Sequence, residues 1–183
     1  MEKIKIREDL HNIIKMRCLA YITREKIDIN AIDCIPLILG QDLLLVQYLF
    51  DFQLDGYMII RIKDITFIRS DDIERFSEFI LKKEGILSQI KEPPISNLEN
   101  WGVVFEELKV LGKNIIIECE DIEDGDFYLG EIIKVKNNSV LLLCFDAVGE
   151  WDQEAIEILF KDITSVSFNK RYIITISKYV KTK

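Results

Sequence analysis

Apolar residues in the second half of the chain recur in short runs separated by polar turns. The runs are rich in leucine and β-branched residues, a composition typical of strands. We predict strands over residues 114–119, 127–136, 139–145 and 154–160, with a last one leading from 163 to 166. Asn137-Asn138 indicates a tight hairpin, because asparagine tolerates a positive φ. Five short strands joined by such turns predict a small barrel that closes its own edges.

Apolar residues at helical spacing flank these strands. One predicted helix carries Trp101, Val104, Phe105, Leu108 and Leu111 on one face and stops at Gly112. Another follows Ser70-Asp71-Asp72, a capping sequence, and carries Ile73, Phe76, Ile80 and Lys83. At the end of the chain, Tyr172, Ile173, Ile176, Tyr179 and Val180 also fit one helical face. The β-branched content of that last segment leaves a final strand as the alternative.

The two halves of the chain share sequence. Lys63-Asp64-Ile65-Thr66 recurs 98 residues later as Lys161-Asp162-Ile163-Thr164, and the same spacing relates leucines 43–45 to leucines 141–143. A spacing preserved over several matches indicates two copies of one supersecondary unit. Pro93-Pro94 continues neither a helix nor a central strand and marks the seam. We therefore predict a first β-barrel repeat over 1–86, a linker over 87–96 and a second repeat over 97–183.

A helix followed by five short, strongly bent strands resembles the Sm-like barrel, here in tandem. A closer resemblance, to a group of uncharacterised bacterial proteins, is carried by Asn100-Trp101, Phe127-Tyr128-Leu129-Gly130, Asp162-Ile163-Thr164 and Arg171-Tyr172. It covers most of 97–180 and, with fewer matches, 13–83. The resemblance implies a mainly β fold with flanking helices, built from tandem duplicated Sm-like or SH3-like small barrels. RNA-binding Sm proteins have an Asp-x-x-Met-Asn-like turn and an Arg-Gly pair. The equivalent segment here, 134–139, has neither, so the fold is implied without RNA binding.

The amino-acid composition disfavours several classes of ligand. The chain has 24 Lys+Arg against 32 Asp+Glu and a net charge of −8, which argues against general attraction to nucleic acid or anionic membranes. Residues 92–183 hold 10 basic and 17 acidic side chains, so the excess lies in the second half. With His11 as the single histidine and four cysteines outside any CxxC, we predict no metal site and no cofactor. Segment 120–131 resembles a calcium loop, but Ile122 stands at position three of that loop, where a ligating oxygen is needed.

We predict that the chain carries neither a secretion signal nor a membrane-spanning stretch. Its N-terminus alternates charges with isoleucines, and the apolar stretch 43–50 is far shorter than the ~18 residues that a membrane helix needs. We expect a cytoplasmic protein whose four cysteines are reduced.

The acids of the second half form the candidate partner-binding site. They lie on a predicted hairpin and in the following long loop: Glu118, Glu120, Asp121, Glu123, Asp124 and Asp126, then Glu150, Trp151 and Asp152. The negative electrostatic field of these carboxylates speeds encounter with a basic partner. An aromatic ring between two acids also suits a cationic side chain. A solvated hairpin, or a tryptophan that covers the end of the barrel, is the alternative.

Two function hypotheses follow. We predict a non-enzymatic cytoplasmic module that binds another protein, a basic one, through the acidic second repeat. The alternative is Sm-like binding of single-stranded RNA, which needs a positive surface on the first repeat. The residues that could form that surface are Arg17, Arg24, Lys26, Arg61 and Lys63.

Overall fold

The computed structural model describes residues 2–121 and 125–182, and this part of the chain is mainly β with flanking helices, as predicted. The strands are β1 (Ala20–Arg24), β2 (Asp28–Leu39), β3 (Leu43–Phe50), β4 (Gln53–Arg61), β5 (Phe67–Arg69), β6 (Ile115–Cys119), β7 (Asp126–Val135), β8 (Ser139–Cys144), β9 (Ile156–Leu159) and β10 (Ser165–Phe168). The helices are α1 (Glu2–Met16), α2 (Asp72–Lys83), α3 (Trp101–Leu111) and α4 (Arg171–Ile176). Single 3-10 turns lie at Ile62–Asp64 and Leu87–Gln89.

Local capping explains where the helices begin and end. The Asn100 side chain accepts a hydrogen bond from the N–H of Val103 at the start of α3, and Gly112 ends that helix in the left-handed conformation at φ 60°. Asp71 and Glu74 form a capping box at the start of α2. The segment after β10 is the helix α4, so the alternative of a last strand is wrong.

All ten strands belong to one antiparallel sheet, in the order β5-β1-β2-β3-β4-β10-β6-β7-β8-β9. The predicted closure of each half into a barrel without edges is wrong. Within the described residues the sheet is open, and β5 and β9 are its two ends. The reason is that β10 uses its second edge to pair with β4 of the first half, with Val166 opposite Ile59. The second half therefore completes its sheet on the first half.

Both halves use the same ladder of strands. In each half the final strand is hydrogen-bonded to the first strand, and the next three follow in order. The pairing of the second strand with the third shifts register at the same place in both halves. In β2 the shift lies between Pro36 and Ile38, and in β7 it lies between Ile132 and Lys134. Aligning these bulges relates Leu45 to Leu141, because each is the partner of the residue after the shift. The match of leucines 43–45 with 141–143 therefore reflects shared apolar composition and not equivalent position.

Apolar clusters on both faces hold the sheet in place. Phe105 of α3 packs in a cluster that contains Ile59 of the first half and Val166 of the second, so this core spans the junction. α1 packs through Leu10 in a separate cluster with strands of the first half. On that side of the junction, Ser165 and Ser167 of β10 lie opposite Ile60 and Met58 of β4. Directly opposed residues share a face, so a polar row follows the line where the halves meet.

Candidate functional site

The predicted acidic hairpin is tied to the first half of the chain. Arg24, at the end of β1, is 1% exposed, and its terminal nitrogens donate to the Glu120 carboxylate at 2.8 and 2.9 Å. The Thr164 hydroxyl donates to the same carboxylate at 2.6 Å. A guanidinium fork that donates two hydrogen bonds to one carboxylate fixes orientation as well as charge. Glu120 therefore acts inside the protein, where it fastens the second half to the first.

A second arginine of the first half engages the next acid. Arg61, buried at the end of β4, donates to Asp64 and to Asp121. Burial lowers the pKa of Arg61, but the hydrogen bonds to these two carboxylates outweigh it, and the pKa is raised. Asp121 thus lies in an intrachain ion pair, although its side chain remains 46% exposed.

The other acids of the hairpin differ in their surroundings. Glu118 is half-buried and accepts a hydrogen bond from the Ser165 hydroxyl. Asp126 is exposed and accepts from the Tyr128 hydroxyl at 2.8 Å. Burial and this hydrogen bond raise the pKa of Tyr128. Glu123 and Asp124 lie outside the described residues.

The loop that carries Trp151 is held by the end of the chain. The indole N–H of Trp151 donates to the carbonyl of Lys181 at 2.9 Å, and its ring meets Phe145 edge-on with 5.1 Å between centroids. The Lys181 ammonium also pairs with Glu150. The indole therefore closes the loop against the C-terminal segment. Asp152, by contrast, is exposed.

An aromatic cleft opens where β4 and β10 join the two halves, and we call it the central cleft. Its volume is about 420 Å³, and it is lined by Tyr48, Phe50, Asp55, Ile116, Glu118, Phe127, Ser167, Lys170 and Tyr172. The rings of Phe50, Phe127 and Tyr172 are each about half exposed. Large apolar rings that gather at the surface around a concavity are typical of binding sites.

Two further clefts adjoin the central cleft and extend it into what we call the junction groove. One, of about 450 Å³, shares Phe127 and Tyr172 with it. The other, of about 500 Å³, shares Tyr48, Phe50, Glu118 and Lys170. The carboxylates that line the groove are Asp28, Asp33, Asp51, Asp55, Glu118, Asp146 and Asp152. Among the described residues its cationic side chains are Lys170 and Arg24, and Arg24 is already paired with Glu120. The groove therefore carries excess negative charge.

The pKa shifts in the groove follow from burial and this charge. Burial raises the pKa of the Tyr48 phenol, and the carboxylates of Asp55, Asp33 and Glu118 raise it further. Burial lowers the pKa of Lys170, although Glu118 and Asp55 oppose the shift. The carboxylates of the groove thus oppose a further anion, whereas burial at the position of Lys170 disfavours charge more strongly than these carboxylates favour it.

Lys170 lies against one of the aromatic faces. Its Nζ is 4.2 Å from the centroid of the Tyr48 ring, a cation–π contact. Nearby, Ser167 is 1% exposed, and its hydroxyl has no hydrogen-bond partner within the described residues. The buried polar row of the junction therefore includes a hydroxyl whose hydrogen-bonding capacity is unused.

Backbone contacts fix the segment that carries Lys170. Gly56 has φ +71°, and a Cβ there would lie 2.6 Å from the carbonyl oxygen of Asn169. The Asp55 carboxylate accepts a hydrogen bond from the N–H of Arg171 at 2.7 Å. The turn before α4 is thus anchored to β4 of the first half, which sets one wall of the central cleft.

Sequence reasoning missed most of this groove. Tyr48, Phe50 and Asp55 lie more than 60 residues from Glu118 in the chain and meet it because β4 pairs with β10. No local motif signals that pairing. The alternation of Ser165 and Ser167 with apolar neighbours was the available clue, because it marks one polar face on a central strand.

The remaining chemistry is limited within residues 2–121 and 125–182. The four cysteines are free, and burial raises the pKa of Cys144 to about 11 and that of Cys119 to about 12. Such thiols are poor nucleophiles at neutral pH. In this part of the chain no group of three His, Cys, Asp or Glu side chains is placed to hold a metal ion. The helices described there are also too short or too polar to cross a bilayer.

Comparisons with models of known protein families, with curated proteins and with solved structures gave no match for this chain.

Proposed function

We propose that the protein is a non-enzymatic interaction module that binds a basic segment of another protein in the junction groove. One observation carries the proposal: the half-exposed rings of Phe50, Phe127 and Tyr172 surround a cleft whose charged lining is mostly carboxylate. The contact surface is then the groove rather than the whole acidic hairpin, since Glu120 and Asp121 already have intrachain partners.

Arginine is the side chain that fits this lining best. Its guanidinium stacks flat on aromatic rings and also donates in a fork to carboxylates, whereas an ammonium is a compact and strongly hydrated charge. Lys170 already contacts Tyr48. We therefore expect an incoming guanidinium at Phe127 and Tyr172, the two rings that the central cleft shares with the 450 Å³ cleft beside it.

Single-stranded RNA is the alternative, because bases stack on exposed aromatic rings. Two features disfavour it. The carboxylates of the groove repel phosphates, and the positive surface predicted for the first repeat loses Arg24 and Arg61, which are buried in ion pairs. A protein partner with exposed arginine meets neither obstacle.

We also propose that the halves are two copies of one small Sm-like or SH3-like β unit, with repeats over 1–86 and 97–183, and that the protein acts in the cytoplasm. The common strand order and the bulge at the same ladder position support the repeat. Four free thiols, at Cys18, Cys34, Cys119 and Cys144, fit a reducing compartment.

The binding proposal is tested by titrating isotope-labelled protein with acetyl-Gly-Arg-Gly-Arg-Gly-amide and following amide NMR shifts. We expect saturable shifts at Phe50, Phe127 and Tyr172, and none with the same peptide carrying citrulline, which keeps the shape but not the charge. Asp55→Asn should weaken binding about five-fold, the size of one screened charge contact. Asp72→Asn removes an exposed carboxylate of α2, outside the groove, and should leave binding unchanged.

Two results would overturn the proposal. Equal shifts with the arginine and citrulline peptides would mean that charge is not recognised. Shifts confined to residues outside the groove would mean that the site is elsewhere. Retention of oligouridine on a filter at low salt, with no response to the peptide, would support RNA binding instead.

A further inference from the structure

The two strands at the ends of the sheet, β5 and β9, are equivalent to β10 and β4, which pair with each other inside the chain. β5 and β10 are each the last strand of their half, and each pairs with the first strand of that half. β4 and β9 are each the fourth strand, and each pairs with the third. In the middle of the sheet β4 and β10 are hydrogen-bonded neighbours. At its ends, within the described residues, β9 and β5 each have an unpaired edge.

The ladders define which residues are equivalent. Ile158 lies opposite Val140 as Ile60 lies opposite Leu44, and Ile68 lies opposite Ile22 as Val166 lies opposite Ile117. Transferring the β4·β10 register of Ser165 opposite Ile60 to the end strands places Phe67 opposite Ile158. It also places Arg69 opposite Ile156.

The end strands carry apolar side chains that the described chain does not cover. Phe67 on β5 is 48% exposed, and Ile156 on β9 is 39% exposed. Both strands are short, at three and four residues, which limits uncontrolled pairing along a long edge. Short complementary edges with an apolar residue on each suit one specific strand pairing.

We propose that β9 of one copy pairs antiparallel with β5 of a second copy, in the register that β4 and β10 use within the chain. The occupant of each end is therefore another molecule of this protein. The contact joins two different surfaces, so each added copy leaves one β5 and one β9 still unpaired. Such head-to-tail contacts grow into a ring when the rotation closes and into a filament when it does not. This inference is independent of the proposed partner binding.

Two edge-blocking variants test the pairing. Phe67→Asp blocks β5 and leaves β9 intact, whereas Ile156→Lys blocks β9 and sets a positive charge opposite Arg69. Val110→Lys, at an exposed position of α3, is the matched control. By light scattering, the unmodified protein and the control should exceed the 21.4 kDa of one chain, and each edge variant alone should give 21.4 kDa. An equimolar mixture of the two edge variants should give a complex of two chains, because each keeps the edge that the other lacks.

The outcomes separate this pairing from other contacts. A mass of one chain for the unmodified protein at its highest soluble concentration contradicts the proposal. So does a symmetric contact, in which one edge variant still self-associates and mixing adds nothing. If an edge variant fails to fold by circular dichroism, hydrogen exchange of the unmodified protein decides. Amides of β5 and β9 should then become more protected as concentration rises, and concentration-independent exchange would refute the pairing.

Discussion

The ion pair between Arg24 and Glu120 gives the sharpest prediction about how the two halves hold together. Arg24→Met keeps most of the side-chain volume and removes the charge, which leaves the Glu120 carboxylate without its main partner. Breaking one side of a buried pair costs about 3–5 kcal/mol. The Glu120 side chain is 18% exposed and keeps the hydroxyl of Thr164, so we expect the lower end, about 3 kcal/mol.

The opposite substitution should cost more. Glu120→Gln leaves the guanidinium of Arg24 charged, and that side chain is almost fully buried with its Nε already unpartnered among the described residues. The double variant leaves neither charge, so it should be more stable than either single variant. This non-additivity is what distinguishes a coupled buried pair from two unrelated packing defects.

Urea unfolding followed by circular dichroism measures these free energies. In thermal unfolding, each kcal/mol of lost stability lowers the melting temperature of a protein of this size by about 2–4 °C, so Arg24→Met should lower it by about 6–12 °C. Arg75→Met is the matched control, because Arg75 forms an exposed pair with Asp72 and should show no measurable change. A loss below about 1 kcal/mol for Arg24→Met, or additive losses in the double variant, would refute the reasoning.

Two further predictions concern the turn before α4 and the cap of α2. Gly56→Ala forces a methyl group against the backbone of Asn169, whereas Gly85 has a similar φ of +70° and no atom within 4 Å of the position that a Cβ would take. Gly56→Ala should therefore lower the free energy of unfolding by at least about 2 kcal/mol more than Gly85→Ala does. Equal losses in urea unfolding would contradict the close approach. Burial raises the pKa of Glu74, but hydrogen bonds from Arg69 and from backbone N–H groups outweigh it, and the pKa lies below its ordinary 4.5. The stability that Glu74 contributes is therefore present above pH 4.5 and is lost as the pH falls through its folded pKa. Glu74→Gln should flatten acid unfolding in that range, and an unchanged acid profile would contradict this assignment.

The sequence predicted the elements better than their connection. The spacing of Trp101, Phe105 and Leu108 and the stop at Gly112 gave α3 correctly, because helix periodicity and capping are local properties. The strands of the second half were located within a few residues, because short apolar runs bounded by turns are local features as well. Closure of each half was predicted wrongly, since nothing in the sequence of β10 states which strand its second edge will meet.

For the candidate site, too, the sequence predicted local features and missed long-range contacts. Acidic side chains were found in sequence, but composition does not reveal that Arg24 and Arg61 of the distant first half pair with Glu120 and Asp121. The aromatic groove depends on the same long-range pairing. Asp152 is the predicted site residue that keeps an exposed place in the groove, and Glu118 lines its centre.

Both the groove and the end-to-end assembly depend on β4 and β10 being hydrogen-bonded neighbours. Hydrogen exchange of the individual amides of β10 tests this pairing directly, because alternate N–H groups of a strand point to its two neighbours. We predict that all the amides of Ser165–Phe168 exchange as slowly as those of β3 in the interior of the sheet. Fast exchange at every second amide of β10, with protection only on the side facing β6, would show that the halves are not joined through this strand.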